Sequence, residues 1–181
     1  MARVGVHLAT GFEELEAITV LDVLRRADIE VLMISMTKEE NVTSARGLTV
    51  VSDILFKDVN YEKIDMIVLP GGIPGSTNLA AHEGLKQKID QFANQGKYLA
   101  SICAAPIVYG QMGLLKGKTA VCYPGYEKYL NGAEITTERV VQTQNYITSI
   151  GPGASLEFSF KLVEILKDKN ISEKVRKAML A

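Results

Sequence analysis

The sequence predicts an α/β protein with a mostly parallel central sheet and helices on both faces. Two observations carry this. Near-continuous apolar runs recur at Val4–Ala9, Ile29–Met36, Asp65–Leu69 and Tyr98–Ile102, and strands without a polar face belong to sheets covered on both sides. Between these runs lie segments with the spacing of amphipathic helices, so strand and helix alternate along the chain.

Taken in order, Val4–Ala9 reads as a buried strand ending at Thr10-Gly11. Glu13–Ala27 carries apolar residues at Leu15, Ile18, Leu21, Val23 and Leu24. Its acids come first and Arg25 and Arg26 last, the order a helix dipole favours. Ile29–Met36 is a second buried strand and Leu48–Ser52 a short one. Asp65–Leu69 is a third core strand, broken by Pro70-Gly71-Gly72. Helical periodicity runs from about Leu79 to Asn94 and closes at Gly96. Tyr98–Ile102 is the next strand and Pro106–Met112 a short helix. Lys118–Cys122, Val140–Thr143 and Tyr146–Ile150 read as further strands, partly in hairpins. Ala154–Lys167 is a helix, and Ser172–Leu180 a shorter one capped by Ser172.

The 181 residues show no repeat or linker and are read as one domain, 1–181, large enough for a core without disulfides or metals. A net charge of -1 provides no field for a polyanion, so stable nucleic-acid binding is not expected. No stretch approaches a membrane span, and the N-terminus lacks a leader pattern. Two cysteines, Cys103 and Cys122, make no disulfide framework, and the expected compartment is the reducing cytoplasm.

In such sheets, chemistry sits beyond the carboxyl ends of the strands. Three segments should therefore converge there: Thr10–Glu16, Pro70–Gly75 and Cys103–Ala105. Cys103 ends an apolar run before small residues that could open a helix, and a helix terminus favours a thiolate. The loop Pro70–Gly75 is either a tight turn or a cradle of backbone N–H groups for a substrate oxygen; its pattern fits no nucleotide-binding loop. Glu13, Glu14 and Glu16 read first as solvated acids of a helical turn. Glu16 lies between apolar Leu15 and Ile18, and an inward carboxyl there could stay protonated and donate to a thiolate, although spacing alone favours the solvated reading. His7 alternates with core residues in a strand and reads as structural, while His82 sits on a polar helix start and reads as solvent-facing. Two Cys and two His at unrelated spacings fit no metal site. Cys122 reads as a core strand residue, with Tyr123 beside it able to line a pocket.

Four motifs in register, GFEELEA, VLPGG, ASICAAP and TSIGPGASLEF, resemble the ThiJ/PfpI superfamily over essentially the whole chain. The most similar branch contains the parkinsonism-associated deglycase and bacterial YajL. The resemblance implies a flavodoxin-like sandwich and a homodimer. By motif it makes Cys103 the reactive cysteine and Glu16 the protonated carboxyl against its sulfur, reversing the spacing-based reading of Glu16. Gly72 and Ala104, with Gly71 adjoining, become the oxyanion pocket. It implies a cofactor-free glyoxalase or deglycase acting on methylglyoxal, glyoxal or early glycation adducts of proteins or nucleotides, or alternatively a redox-sensing stress protein or chaperone that oxidises Cys103. Several departures bear on this. Ala104 replaces the His that follows the cysteine in PfpI-type proteases, and no His follows His82 as amidotransferases require, so neither activity is expected. Tyr123 stands where a His often precedes Pro124, and Ile150 where Arg often precedes GPG. The biosynthetic role suggested by the ThiJ name has no support in the residues.

Overall fold

The computed structural model describes residues 2–181. Its elements are β1 (Arg3–Leu8), α1 (Glu14–Arg26), β2 (Glu30–Ser35), β3 (Asn41–Thr43), β4 (Thr49–Val51), β5 (Ile54–Leu55), β6 (Met66–Leu69), α2 (Gly75–Ala81) and α3 (Glu83–Asn94). They continue as β7 (Tyr98–Ile102), α4 (Pro106–Gln111), β8 (Thr119–Ala120), β9 (Glu134–Ile135), β10 (Val140–Thr143), β11 (Tyr146–Ser149), α5 (Ser155–Leu166) and α6 (Lys169–Ala178).

Seven strands form the central sheet in the order β10-β11-β7-β6-β1-β2-β5, parallel except for the β10–β11 hairpin. Side chains of a strand alternate between faces, and the apolar runs use both. Val4, Val6 and Leu8 of β1, with Met66 and Val68 of β6, join one core beneath α1 and α5. Ile67, Leu69 and Leu99 point the other way, into a second core under α3 and α4. The architecture is the flavodoxin-like sandwich. From β1 the sheet grows outward in both directions, to β2 on one side and β6 on the other, which opens a crevice at their carboxyl ends.

Several boundaries differ from the sequence reading. The helix expected from Leu79 starts at Gly75 and breaks at His82, whose extended backbone (φ -84°, ψ 99°) separates α2 from α3. His82 is not a solvent-facing residue of a polar helix start. Its Nδ1 accepts from Leu85 N at 3.0 Å, capping α3, and its ring meets Phe56 edge-on at 4.6 Å. Ser172 does not cap the last helix. Asp168 does so by accepting from Ile171 N at 2.9 Å, while Ser172 Oγ donates to Phe160 O at 2.9 Å and ties α6 to α5. The strand read at Lys118–Cys122 shrinks to β8, which pairs in parallel with β9 outside the central sheet. Val121 N there donates to the Thr148 hydroxyl at 3.0 Å, so a side chain takes the place of a ladder bond to β11. The short strand at Leu48–Ser52 is β4, which pairs with β3 in a separate hairpin. Among the described residues, no helix is long and apolar enough to cross a membrane.

Candidate active site

At the end of β7 the chain turns sharply, and Cys103 sits in the left-handed region at φ +64°. That conformation disfavours a residue with a Cβ and persists only when neighbours over-determine it. Here Cys103 N donates to Ser149 O at 2.9 Å, and Cys103 O accepts from Tyr123 N at 2.7 Å. The turn brings the thiol to the wall of the crevice instead of continuing the pleat.

The loop after β6 supplies the opposite wall. Gly72 (φ +89°) needs a conformation that glycine adopts freely. The loop lies backbone to backbone against the turn after β1: Glu13 N donates to Gly71 O at 2.9 Å and Gly75 N to Gly11 O at 3.1 Å. Gly71 is required by space. A Cβ there would lie 2.6 Å from Glu16 Oε2, 2.6 Å from Cys103 Cβ and 3.1 Å from Cys103 Sγ. Acid and thiol thus adjoin across the bare face of one glycine. The three segments expected at the sheet edge do converge.

The three acids after β1 divide three ways. Glu13 caps α1, its Oε2 accepting from Glu16 N at 2.8 Å. Glu14 Oε1 accepts from Ser44 Oγ at 3.2 Å and pins the β3–β4 hairpin to the site. Glu16 is fully buried, its Oε2 accepting from Gly71 N at 2.7 Å while Oε1 has no hydrogen-bond partner. Burial pushes the Glu16 carboxyl up to about 7, and the charge of Glu13 adds to that, against the Cys103 thiol and the Gly71 N–H, which favour the anion.

Burial also pushes the Cys103 thiol well above its ordinary range, and an ionised Glu16 pushes it further. The Ala104 and Gly72 N–H groups pull it back. Burial thus opposes the thiolate that a helix terminus would favour. Only one of the two adjoining groups can hold a negative charge at low cost, so they titrate as a pair. With the proton on Glu16, its repulsion of a charged sulfur disappears, and the N–H groups of Gly72 and Ala104 are aimed at that sulfur.

The crevice encloses about 360 Å³, lined by Gly72, Ile73, Cys103, Ala104, Tyr123 and Tyr126, with Glu13, Ala45, Arg46 and Pro152 completing it. Tyr123 lies where the sequence reading expected it. Arg46, Ile73 and Tyr126 were not legible as site residues. Arg46 arrives on the tip of the β3–β4 hairpin, and among the described residues its guanidinium forms no ion pair. His7 is buried beneath the sheet, its Nε2 2.8 Å from the Tyr61 hydroxyl and its Nδ1 3.1 Å from Gly5 O, as expected of a structural strand histidine. Neither histidine lines the crevice. Cys122 is buried, and burial followed by the charge of Glu127 pushes its thiol up to about 12. Among the described residues, no group of His, Cys, Asp and Glu side chains could hold a metal.

A flavodoxin-like sheet with a thiol on a strained turn, a buried acid beside it and free N–H groups around it defines a class of cysteine-centred α/β proteins. Within that class the chain belongs to the DJ-1/PfpI family, which matches residues 2–165. It is 37% identical over 169 residues to protein DJ-1 homolog B of Arabidopsis thaliana, covering 92% of this chain and 39% of the plant protein, so it spans about two fifths of that relative's length. Protein dj-1beta of Drosophila melanogaster is 36% identical over 97% of this chain and 95% of its own. Glutathione-independent glyoxalase DJR-1.2 of Caenorhabditis elegans is 33% identical over 86% of this chain and 83% of its own. Among solved structures, Drosophila melanogaster DJ-1beta superposes with a TM-score of 0.96 (35% identity, 99% and 98% covered). Toxoplasma gondii DJ-1 in an oxidized form superposes with 0.95 (35% identity, 99% and 98% covered).

Proposed function

We propose that this protein is a cofactor-free glyoxalase that uses Cys103 as nucleophile and Glu16 as proton carrier. The observation that carries the reading is the buried Glu16 carboxyl, pushed up to about 7 and adjoining the Cys103 thiol across Gly71. A carboxyl with that poise can both give and take a proton near neutral pH. Within the pair that shares one proton, Cys103 adds as the thiolate to the aldehyde carbon of methylglyoxal, forming a C–S bond. The Glu16 carboxyl gives its proton to the carbonyl oxygen, which becomes the hydroxyl of a hemithioacetal and leaves Glu16 as the carboxylate. Gly72 and Ala104 N–H groups stabilise the oxyanion as it forms. The Glu16 carboxylate then takes the proton from the former aldehyde carbon, leaving an enediol. It returns that proton to the neighbouring carbon while the hydroxyl proton of the first carbon passes to the oxygen of the second, giving a 2-hydroxy thioester. Water cleaves the thioester, releasing lactate and restoring the thiol; glyoxal gives glycolate in the same way. Early glycation adducts present the same carbonyl chemistry, and deglycation is the extension of this reading to adducts on proteins or nucleotides. Without an imidazole in the crevice, peptidase and amidotransferase chemistry lack their base.

Lactate formation from methylglyoxal, compared in wild type, Cys103→Ser and Glu16→Gln, tests this. Near-complete loss in both variants is expected; equal low rates in all three overturn the reading.

A second reading rests on the same thiol. Both thiols are buried, but Cys103 lines the crevice and Cys122 does not, which favours oxidation of the first, and the DJ-1 of Toxoplasma gondii is described in an oxidized form. Mild peroxide followed by mass spectrometry should add two oxygens to Cys103 and none to Cys122. Equal oxidation of both would sink it.

We also propose that the chain forms a homodimer through the apolar face shared by α1 and α5. There Leu15 (53%), Ile18 (39%) and Leu156 (40%) are exposed around a groove of about 560 Å³.

A further inference from the structure

Tyr123, Tyr126 and Tyr129 recur at intervals of three, in a stretch that helical or strand patterning does not explain. The structure gives the reason. Tyr126 N donates to Tyr123 O at 3.1 Å and Tyr129 N to Tyr126 O at 3.0 Å, so two successive tight turns bring every third residue to the same side. The rings form a continuous row with centroids 6.5 Å and 6.2 Å apart. Tyr123 and Tyr129 are exposed, as is Ile73 at 48%.

The row leads out of the site. Tyr123 and Tyr126 line the crevice of Cys103, and Tyr126 and Ile73 also line a second groove of about 440 Å³ with Thr77, Ala80, Ile107 and Tyr129. Crevice and groove thus adjoin at the shared side chains of Ile73 and Tyr126. A methylglyoxal of about five non-hydrogen atoms fills on the order of 100 Å³, taking a water's ~30 Å³ as the scale. That is well short of the crevice alone, and the excess is walled by aromatic and aliphatic side chains. Such walls suit a planar apolar group, which tyrosine rings contact by offset or edge-on stacking.

We propose that Ile73, Tyr126 and Tyr129 form a substituent subsite for α-oxoaldehydes bearing an aromatic or extended apolar group, with the carbonyl carbons held at Cys103. The inference rests on the reading of Cys103 as the residue that meets the aldehyde, and it names the substrates for which the site is shaped. Alkylation of Cys103 by 2-chloroacetophenone and by chloroacetone, followed by intact-protein and peptide mass spectrometry, isolates the subsite, because labelling needs the thiol but no turnover. Each rate is divided by the rate of the same reagent with glutathione. The aryl ketone should then be preferred about tenfold in wild type, equivalent to about 1.4 kcal/mol. Tyr129→Ala, which opens the groove, and Thr77→Phe, which fills it from exposed α2, should each lower the preference threefold or more. A normalised preference near one in wild type, or one that survives both substitutions, overturns the proposal. A protein inactive toward methylglyoxal that still shows the preference and its loss in the variants retains the subsite and loses only the glyoxalase reading.

Discussion

Replacing Glu16 with Gln removes one titrating group while keeping an oxygen to accept from Gly71 N. The carboxyl ionises near 4.5 in the unfolded chain and at about 7 when folded. The folded state therefore prefers the neutral acid. Its full contribution to stability is present below 4.5 and is lost as pH rises through about 7. At 1.36 kcal/mol per pH unit, the swing is about 3 kcal/mol. For a chain of 181 residues, that amounts to roughly 6–12 °C in melting temperature. Urea denaturation or calorimetry of wild type and Glu16→Gln, at half-unit steps from pH 4 to 8, supplies the comparison. Subtracting the two curves cancels the titrating groups that are not coupled to Glu16, His7 included. The expected difference is a rise in favour of the variant between pH 4.5 and 7 that flattens above. Parallel curves would mean that Glu16 ionises in the folded protein at the same pH as in the unfolded chain, and the mechanism built on a Glu16 protonated near neutral pH would go with it. The same comparison in a Cys103→Ser background should keep most of the swing, because burial is its largest cause.

Other expected outcomes test other parts of the structure. Burial lowers His7 from 6.5 to about 4, so its contribution is present above 6.5 and lost as pH falls toward 4, by about 3 kcal/mol in total; His7→Asn should flatten this acid arm in denaturation curves. Gly71→Ala places a methyl group 2.6 Å from Glu16 Oε2 and should cut the rate of Cys103 alkylation at least tenfold, whereas Gly153→Ala, at a glycine with open space around it and no left-handed backbone, should leave that rate within twofold. Arg46→Glu should slow labelling of Cys103 by iodoacetate several-fold more than labelling by neutral iodoacetamide, and equal effects on both would remove Arg46 as an anion contact. Ile18→Glu should convert a dimer to monomers in analytical ultracentrifugation at micromolar concentration; an unmoved sedimentation coefficient would place the interface elsewhere.

The sheet was legible because parallel strands buried on both faces leave uninterrupted apolar runs, and β2, β6 and β7 fall inside the segments read that way, while β1 begins one residue earlier, at Arg3. The elements with no such signature are short and held by partners distant in sequence. β3 is three residues of Asn41-Val42-Thr43 completed by β4, and β8 and β9 are two residues each. For Glu16, spacing alone favoured the solvated reading and the inward one came from the resemblance, whereas the structure buries it. Leu15 and Ile18, between which it lies in sequence, turn outward, and its own stripe is Val20, Val23 and Ala27, all buried. Spacing of four, three and four from Glu16 marks an acid on the core face, a signal that the order of residues carries by itself. Arg46 had no such mark, because the hairpin tip is brought to the crevice by Gly11 N to Thr43 O, Ala45 N to Phe12 O and Ser44 Oγ to Glu14, contacts that no local pattern encodes. The backbone at Cys103 was equally hidden, since a left-handed cysteine is imposed by Ser149 and Tyr123 and not by its own propensity.

Those two clamps on the Cys103 peptide, together with the bonds joining the Gly71–Gly75 loop to the turn after β1, make the site an extension of the backbone ladder rather than a set of side chains resting on it. No hinge separates chemistry from scaffold. The difference in reactivity between Cys103 and Cys122 should then be lost on heating at the temperature where the sheet itself melts, and amide exchange at Cys103 and Glu13 should be as slow as in the strands that carry them. In this protein the working parts wear out only when the whole does.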